Sequence, residues 1–277
     1  MHQSPEPAAS TASTASTETT EPTEPTASTE SAGSAPGTLV VSPHFDDAAL
    51  SLAGLLVRLP APVTVLTVHA GPPPPGATVS WWDASCGFTS AAEAHRVRDA
   101  EDVWACSLLG VARRTLGHAD GPYGGDPGLP ELTEALGTVA PGTAVLLPLG
   151  TNQPDHRTVR EVTLRALADR ADLTPFVYAD LPYTGHLPGW GGERTDDALA
   201  ASETWGTAFR ELRGRYRTTV AHAARLDPDA WARKRAAVLG HGSQLAPLAL
   251  DHGAFLAADG PLTAERIWSL APGPHPR

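Results

Sequence analysis

From residue 38 onward, short β-branched apolar runs alternate with longer stretches of helical periodicity. The runs at 38–42, 62–68, 143–149 and 175–178 are too short for helices and rich in Val and Leu, which predicts buried strands. A shorter strand is expected near 113–116. Between them, 48–59 is almost entirely small or aliphatic and reads as a buried helix. The segment 93–109 reads as a helix with Val97, Val103 or Trp104, Ala105 and Leu108 facing inward and Gly110 as its stop. Further helices are predicted at 130–139, from the loop at 150–157 to about 171, at 228–241 and at 261–268. Two late strands are expected at 204–208 and 218–221, with irregular chain at 72–92 and 184–202. Strands alternating with helices predict an α/β fold whose mostly parallel sheet is covered on both faces.

Residues 1–36 contain Ser, Thr, Ala, Pro and Glu, with no aliphatic side chain larger than alanine after Met1. Such a segment buries too little apolar surface to offset its ordering entropy, so a disordered tail is expected. It has neither the positive start nor the apolar stretch of a secretory signal. The remaining residues, 37–277, form one expected domain.

The formal charge of the chain is −11, and outside the tail 26 acids still stand against 20 bases. This argues against non-specific nucleic-acid binding, which needs clustered Lys and Arg. No run approaches the ~20 apolar residues that span a bilayer. Cys86 and Cys106 are too few for a disulfide framework or a Cys-rich metal site, so a cytoplasmic location is expected, with Cys106 in the core.

The chemistry collects where strands end. The first run stops at Pro43 and delivers His44, Asp46 and Asp47 within four residues. Imidazole nitrogen and carboxylate oxygen suit a zinc-type ion with a spare carboxylate as base, while the simpler reading makes one Asp a helix cap. Other polar loops contain His69, His118 with Asp120, and Gln153 with Asp155 and His156. All fall on one rim of a parallel sheet, where open α/β folds place ligands. Arg98 and Glu101, three apart, read as an exposed ion pair. Trp81 and Trp82 either line a pocket or pack their loop onto the body. There is no GxGxxG after the first strand, no GxxxxGK[ST] and no G-x-S-x-G, so dinucleotide, P-loop and serine-hydrolase readings are unsupported.

The segment Ser42–Pro43–His44–Phe45–Asp46–Asp47 resembles the (A/S)HPDD motif of the PIG-L/LmbE-like zinc deacetylases. Four more segments agree in order and spacing. They are Arg98 to Gly110, Gln153–Pro154–Asp155–His156–Arg157, Tyr178 to Tyr183, and Lys234 through Gln244, so the likeness spans 38 to about 268. It implies a Rossmann-like three-layer fold and hydrolysis of an N-acetyl group, with an amino sugar or glycosylated metabolite as small-molecule substrate. His44, Asp47 and His156 are then the zinc ligands, Asp46 the general base, and Arg98 and Asp120 substrate contacts. Asp155 either supports an imidazole or caps a helix. The chain departs from the pattern at Gln153, which stands where the family has a histidine that assists the oxyanion and protonates the leaving amine. Glutamine donates a hydrogen bond but delivers no proton. His69, His118 and His186 are alternative acids, although Asp46 returning its own proton needs no second residue. Ala48 also replaces a family carboxylate. These two departures keep open a catalytically impaired carbohydrate-binding or regulatory descendant; an amide hydrolase of a non-sugar metabolite is the third reading.

Overall fold

A computed structural model describes residues 36–60, 62–125 and 127–273. The expected tail, apart from Pro36, lies outside these residues. Seven strands form one sheet: β1 (Thr38–Ser42), β2 (Val63–Thr67), β3 (Ala112–Thr115), β4 (Ala144–Pro148), β5 (Thr174–Tyr178), β6 (Tyr216–Arg225) and β7 (Ala264–Pro272). Their order is β3-β2-β1-β4-β5-β7-β6. The first five run parallel, while β7 lies antiparallel to β5 and β6 antiparallel to β7.

The helices are α1 (Asp47–Leu56), α2 (Trp81–Ser85), α3 (Ala91–Leu109), α4 (Pro130–Gly137), α5 (Pro154–Leu167), α6 (Thr195–Ala201), α7 (Thr207–Arg215), α8 (Pro228–Leu239) and α9 (Leu245–His252). Strands advance one way from β1 to β3 and the other way from β4 to β5. Right-handed crossovers therefore put α1 and α3 on one face and α5 on the other. Helix α8 packs with α1 and α3, and α4 with α5, giving three layers. Val40, Val41, Leu52, Leu66, Leu147 and Val159 lie in the shared core.

The direction of advance reverses between β1 and β4, which are direct neighbours with Leu39 opposite Val145. This is the switch point of an open parallel sheet, and the loops after β1 and β4 diverge there to leave a crevice. It positions everything that follows.

Three expectations are corrected. Residues 261–268 are not a helix: only Pro261–Thr263 makes a single 3-10 turn, and Ala264 begins β7. Glu265, Ile267 and Trp268 are buried there in the sheet, and the charges of Glu265 and Arg266 broke the apolar pattern that would have marked a strand. The strand expected at 204–208 is absent; Ala208, Phe209 and Leu212 instead form the buried side of α7. On α3 the inward stripe is Ala91, Ala94, Arg98, Asp102, Ala105, Cys106 and Leu109, whereas Val103, Trp104 and Leu108 are exposed. Hydropathy misplaced the stripe because two of its members are ion-paired charges, Arg98 to Asp83 and Asp102 to Arg113. No described helix is long and apolar enough to cross a membrane.

Candidate metal centre and active site

Ser42, the last residue of β1, shapes the loop that follows. Its Oγ donates to the His44 carbonyl at 2.7 Å and accepts the Ala48 amide at 3.1 Å, so the chain turns tightly into α1. Asp46 is the residue before α1, yet its side chain makes no capping bond. Asp47 turns back instead, its Oδ2 accepting the His44 amide at 2.8 Å. Capping therefore explains neither carboxylate.

After β4 the chain passes Gly150 (φ 80°) and Asn152 (φ 53°) before α5 begins at Pro154. A Cβ at Gly150 would stand 2.8 Å from the Cα of Arg157, so only glycine fits this approach of the loop to its helix. The same loop is held by Asp180, just past β5, whose Oδ2 accepts the amides of Gly150 at 2.6 Å and Thr151 at 3.0 Å.

These turns bring three donor atoms together. His44 Nδ1 is 3.2 Å from Asp47 Oδ2, His156 Nε2 is 3.1 Å from the same oxygen, and the two nitrogens are 3.3 Å apart. Each imidazole spends its other nitrogen on carboxylates. His156 Nδ1 faces Asp180 Oδ1 at 3.0 Å, and His44 Nε2 faces Asp120 at 3.3 Å and Asp155 at 3.5 Å. A carboxylate only accepts, so those outer nitrogens carry an N–H, and the inner nitrogens offer lone pairs to a cation once they give up their own protons. Two imidazole nitrogens and one carboxylate oxygen thus converge on one point.

That arrangement fits a zinc-sized ion. Tetrahedral ligands at about 2.0–2.1 Å from zinc stand roughly 3.3 Å from one another, which is the observed triangle. Imidazoles backed by carboxylates are also the usual outer support of such ligands. A second group of donors, His44 with Asp120 and Asp155, lies within 4.8 Å. It is more exposed, and it uses the His44 nitrogen that carries the proton, so it forms the outer support of the first group.

The electrostatics agree. Burial lowers the His156 value, but Asp47 and Asp180 outweigh it and hold the ring up at about 9. His44 is likewise held well above its ordinary value, against burial, by Asp120, Asp155 and Asp47. Asp47 lies far below the carboxylate range: burial opposes its ionisation, but the two imidazoles prevail. The cluster is a place where positive charge is strongly favoured. Asp46 behaves in the opposite way, raised to about 7 by burial first and by the Asp47 charge second.

The cluster opens into a cavity of about 370 Å³, lined among others by Asp46, His69, Asp120, Gln153, Tyr183 and His252. Arg98 also reaches it, although its partner is not Glu101. Arg98 pairs with buried Asp83 at 2.6 Å, and Glu101 instead accepts the amide and hydroxyl of Ser243, each at 2.7 Å. Asp83 further accepts the Tyr123 hydroxyl. Asp155 caps no helix side chain-wise and instead stands against His44. Trp81 is 76 % exposed at the cavity, while Trp82 is anchored through its Nε1 to Gln244 at 3.2 Å. Of the three alternative acids, His69 lines the cavity and stacks on His44 at 5.3 Å. His118 is buried outside the lining, and His186 stacks on Trp205.

The sequence reading assigned no role to Asp180, Tyr183 or His252. The available signals were the matching Tyr178–Tyr183 segment and position: Asp180 and Tyr183 follow the end of a parallel strand next to β4, the same rim as His156.

Comparison with known proteins adds the family. The GlcNAc-PI de-N-acetylase (PIG-L) model matches residues 39–167. The chain is 30% identical over 275 residues to the 2′-N-acetylparomamine deacetylase of Streptomyces fradiae, covering 85% of this chain and 90% of that protein. The chain belongs to the PIG-L family. Among solved structures, the A40926 pseudoaglycone deacetylase Dbv21 is 27% identical with a TM-score of 0.60, over 85% of this chain and 97% of that one. A deacetylase of the teicoplanin biosynthetic pathway superposes with a TM-score of 0.64 at 23% identity, over 87% of this chain and 100% of that one, a likeness of fold.

Proposed function

We propose that this PIG-L family protein is a zinc-dependent N-deacetylase of an amino sugar or a metabolite bearing one. The observation that carries the reading is the convergence of His44 Nδ1, Asp47 Oδ2 and His156 Nε2 beside a buried Asp46 in an open cavity. His44, Asp47 and His156 would hold the ion. Zinc bound there supplies a Lewis acid for the acetyl carbonyl and lowers the pKa of water.

The rest is the work of the chain. Asp46, with a value near 7, is matched to taking a proton from water and returning it to the departing amine. Asp180 fixes the His156 ring and the loop that presents it. Asp120 and Asp155 fix His44. Charge supports the substrate class. Asp46, Asp120, Asp155 and Asp251 line the cavity, and Arg98, the one Lys or Arg lining it among the described residues, is already paired. Such a lining repels phosphorylated substrates and accepts neutral or amine-bearing sugars. The relative that deacetylates 2′-N-acetylparomamine has an amine-bearing sugar as its substrate, which supports the same class here.

The test is zinc content together with acetate release from N-acetylglucosamine, diacetylchitobiose and N-acetylated aminoglycosides, for wild type and His156→Ala. One equivalent of zinc and acetate release by wild type, both lost in the variant, is expected. Release by a variant that holds no zinc would refute the reading.

A further inference from the structure

Gln153 leaves the cavity without the histidine that the family pattern places there. The group beside it is Tyr183. This phenol lines the same cavity as Gln153 and Asp46. Its ring is gripped edge-on between two imidazoles, His156 at 5.4 Å and His252 at 5.2 Å, with interplanar angles of 86° and 90°. The Gln153 side chain interacts with the phenol oxygen. An amide N–H donated to that oxygen uses a lone pair and leaves the hydroxyl proton free to point elsewhere. Among the described residues, no carbonyl or carboxylate accepts it.

We propose that Tyr183 donates a hydrogen bond to the acetyl oxygen of the substrate and that Gln153 orients it, so that the pair replaces the oxyanion role of one histidine. This assignment rests on the deacetylase reading. A phenol ordinarily keeps its proton near neutral pH. The hydroxyl therefore serves as a fixed donor and not as the acid. The protons balance through Asp46 alone. Water gives a proton to Asp46 as its oxygen bonds to the acetyl carbon. The C–N bond then breaks, the nitrogen takes the proton back from Asp46, and amine and acetic acid leave. Tyr183 keeps its own proton throughout. A neutral donor aimed at the developing negative oxygen acts mainly in the transition state, so its loss reads in kcat.

The experiment compares zinc-loaded wild type, Tyr183→Phe and Tyr183→Phe/Gln153→His in two assays. One is acetate release from the N-acetyl sugars above; the other is calorimetric binding of methylphosphonate, a tetrahedral anion mimicking the hydrated acetyl group. Tyr183→Phe is expected to keep its zinc and its melting temperature, with KM within about threefold and kcat down about 100-fold. Its methylphosphonate affinity is expected to fall about tenfold, and the restored histidine to return at least about tenfold in kcat. Turnover and methylphosphonate binding both unchanged in Tyr183→Phe would overturn the donor and leave the deacetylase standing. Tyr183-dependent methylphosphonate binding in a wild type that releases no acetate would uphold the donor and overturn the deacetylase.

Discussion

Two clusters of charge lie buried in this molecule, and they are built to different accounts. Lys234 of α8 and Glu265 of β7 are both 0 % exposed and bonded at 2.8 Å. Glu265 also accepts the amides of Gly54 and Leu55 in α1, each at 2.8 Å. One cation meets one anion, both carboxylate oxygens are bonded, and the unit ties α8, β7 and α1 together. At the switch point, His44, Asp47, His156 and Asp180 are equally inaccessible apart from one edge of His44. There the carboxylates are matched by two titratable imidazoles, whose inner nitrogens meet the Asp47 oxygen at about 3 Å. A balanced buried pair is explained by packing. A buried group whose positive charge sits on imidazole protons that a metal ion can replace points to a ligand.

Substitutions sharpen that contrast. The largest effect is expected from Asp46→Asn, which keeps the shape but cannot take a proton; kcat should fall by about 10³ or more with zinc content unchanged. A variant holding a tenth of wild-type turnover would remove Asp46 as the base. In the balanced cluster, Lys234→Met leaves Glu265 charged and alone, a loss of about 3–5 kcal/mol in stability by denaturant titration. Adding Glu265→Gln should restore much of it, whereas no restoration would mean that packing, not charge, dominates there. Asp180→Asn loosens the His156 ring without removing a ligand, so zinc affinity should drop about 10- to 100-fold while the fold persists. Unchanged affinity would reduce Asp180 to a loop tie.

The smallest effect concerns His241, which is buried with neither ring nitrogen bonded, and burial holds it near 4. Between pH 4 and 6.5 the unfolded chain binds a proton that the folded protein refuses, so this residue costs stability as the pH falls through that window. His241→Phe should flatten the acid side of the melting profile. Parallel profiles would show that His241 is not the group responsible.

The parallel half of the fold was legible because its strands other than edge strand β3 are short apolar runs ended by proline or a polar loop, as at Pro43 and Pro148. The C-terminal third was not. Ala264–Pro272 mixes Glu265 and Arg266 into a buried strand, and only their partners in α8 and α6 make that tolerable. Arg98 and Asp102 hid the true face of α3 for the same reason. At the candidate site, His44, Asp46, Asp47 and His156 were named from the motif resemblance, and the structure brings them together. The segment holding Asp180 and Tyr183 was noted as matching the family, but their roles come from what the sheet places beside them. No local pattern encodes a contact between residues 24 apart, such as His156 and Asp180.

The most direct measurement is acetate release by the same preparation before chelation, after zinc is stripped, and after one equivalent is returned. The account predicts release from an N-acetylated amino sugar, its loss in the stripped protein with the fold intact by circular dichroism, and recovery at one zinc per chain. Undiminished release by zinc-free protein would contradict it.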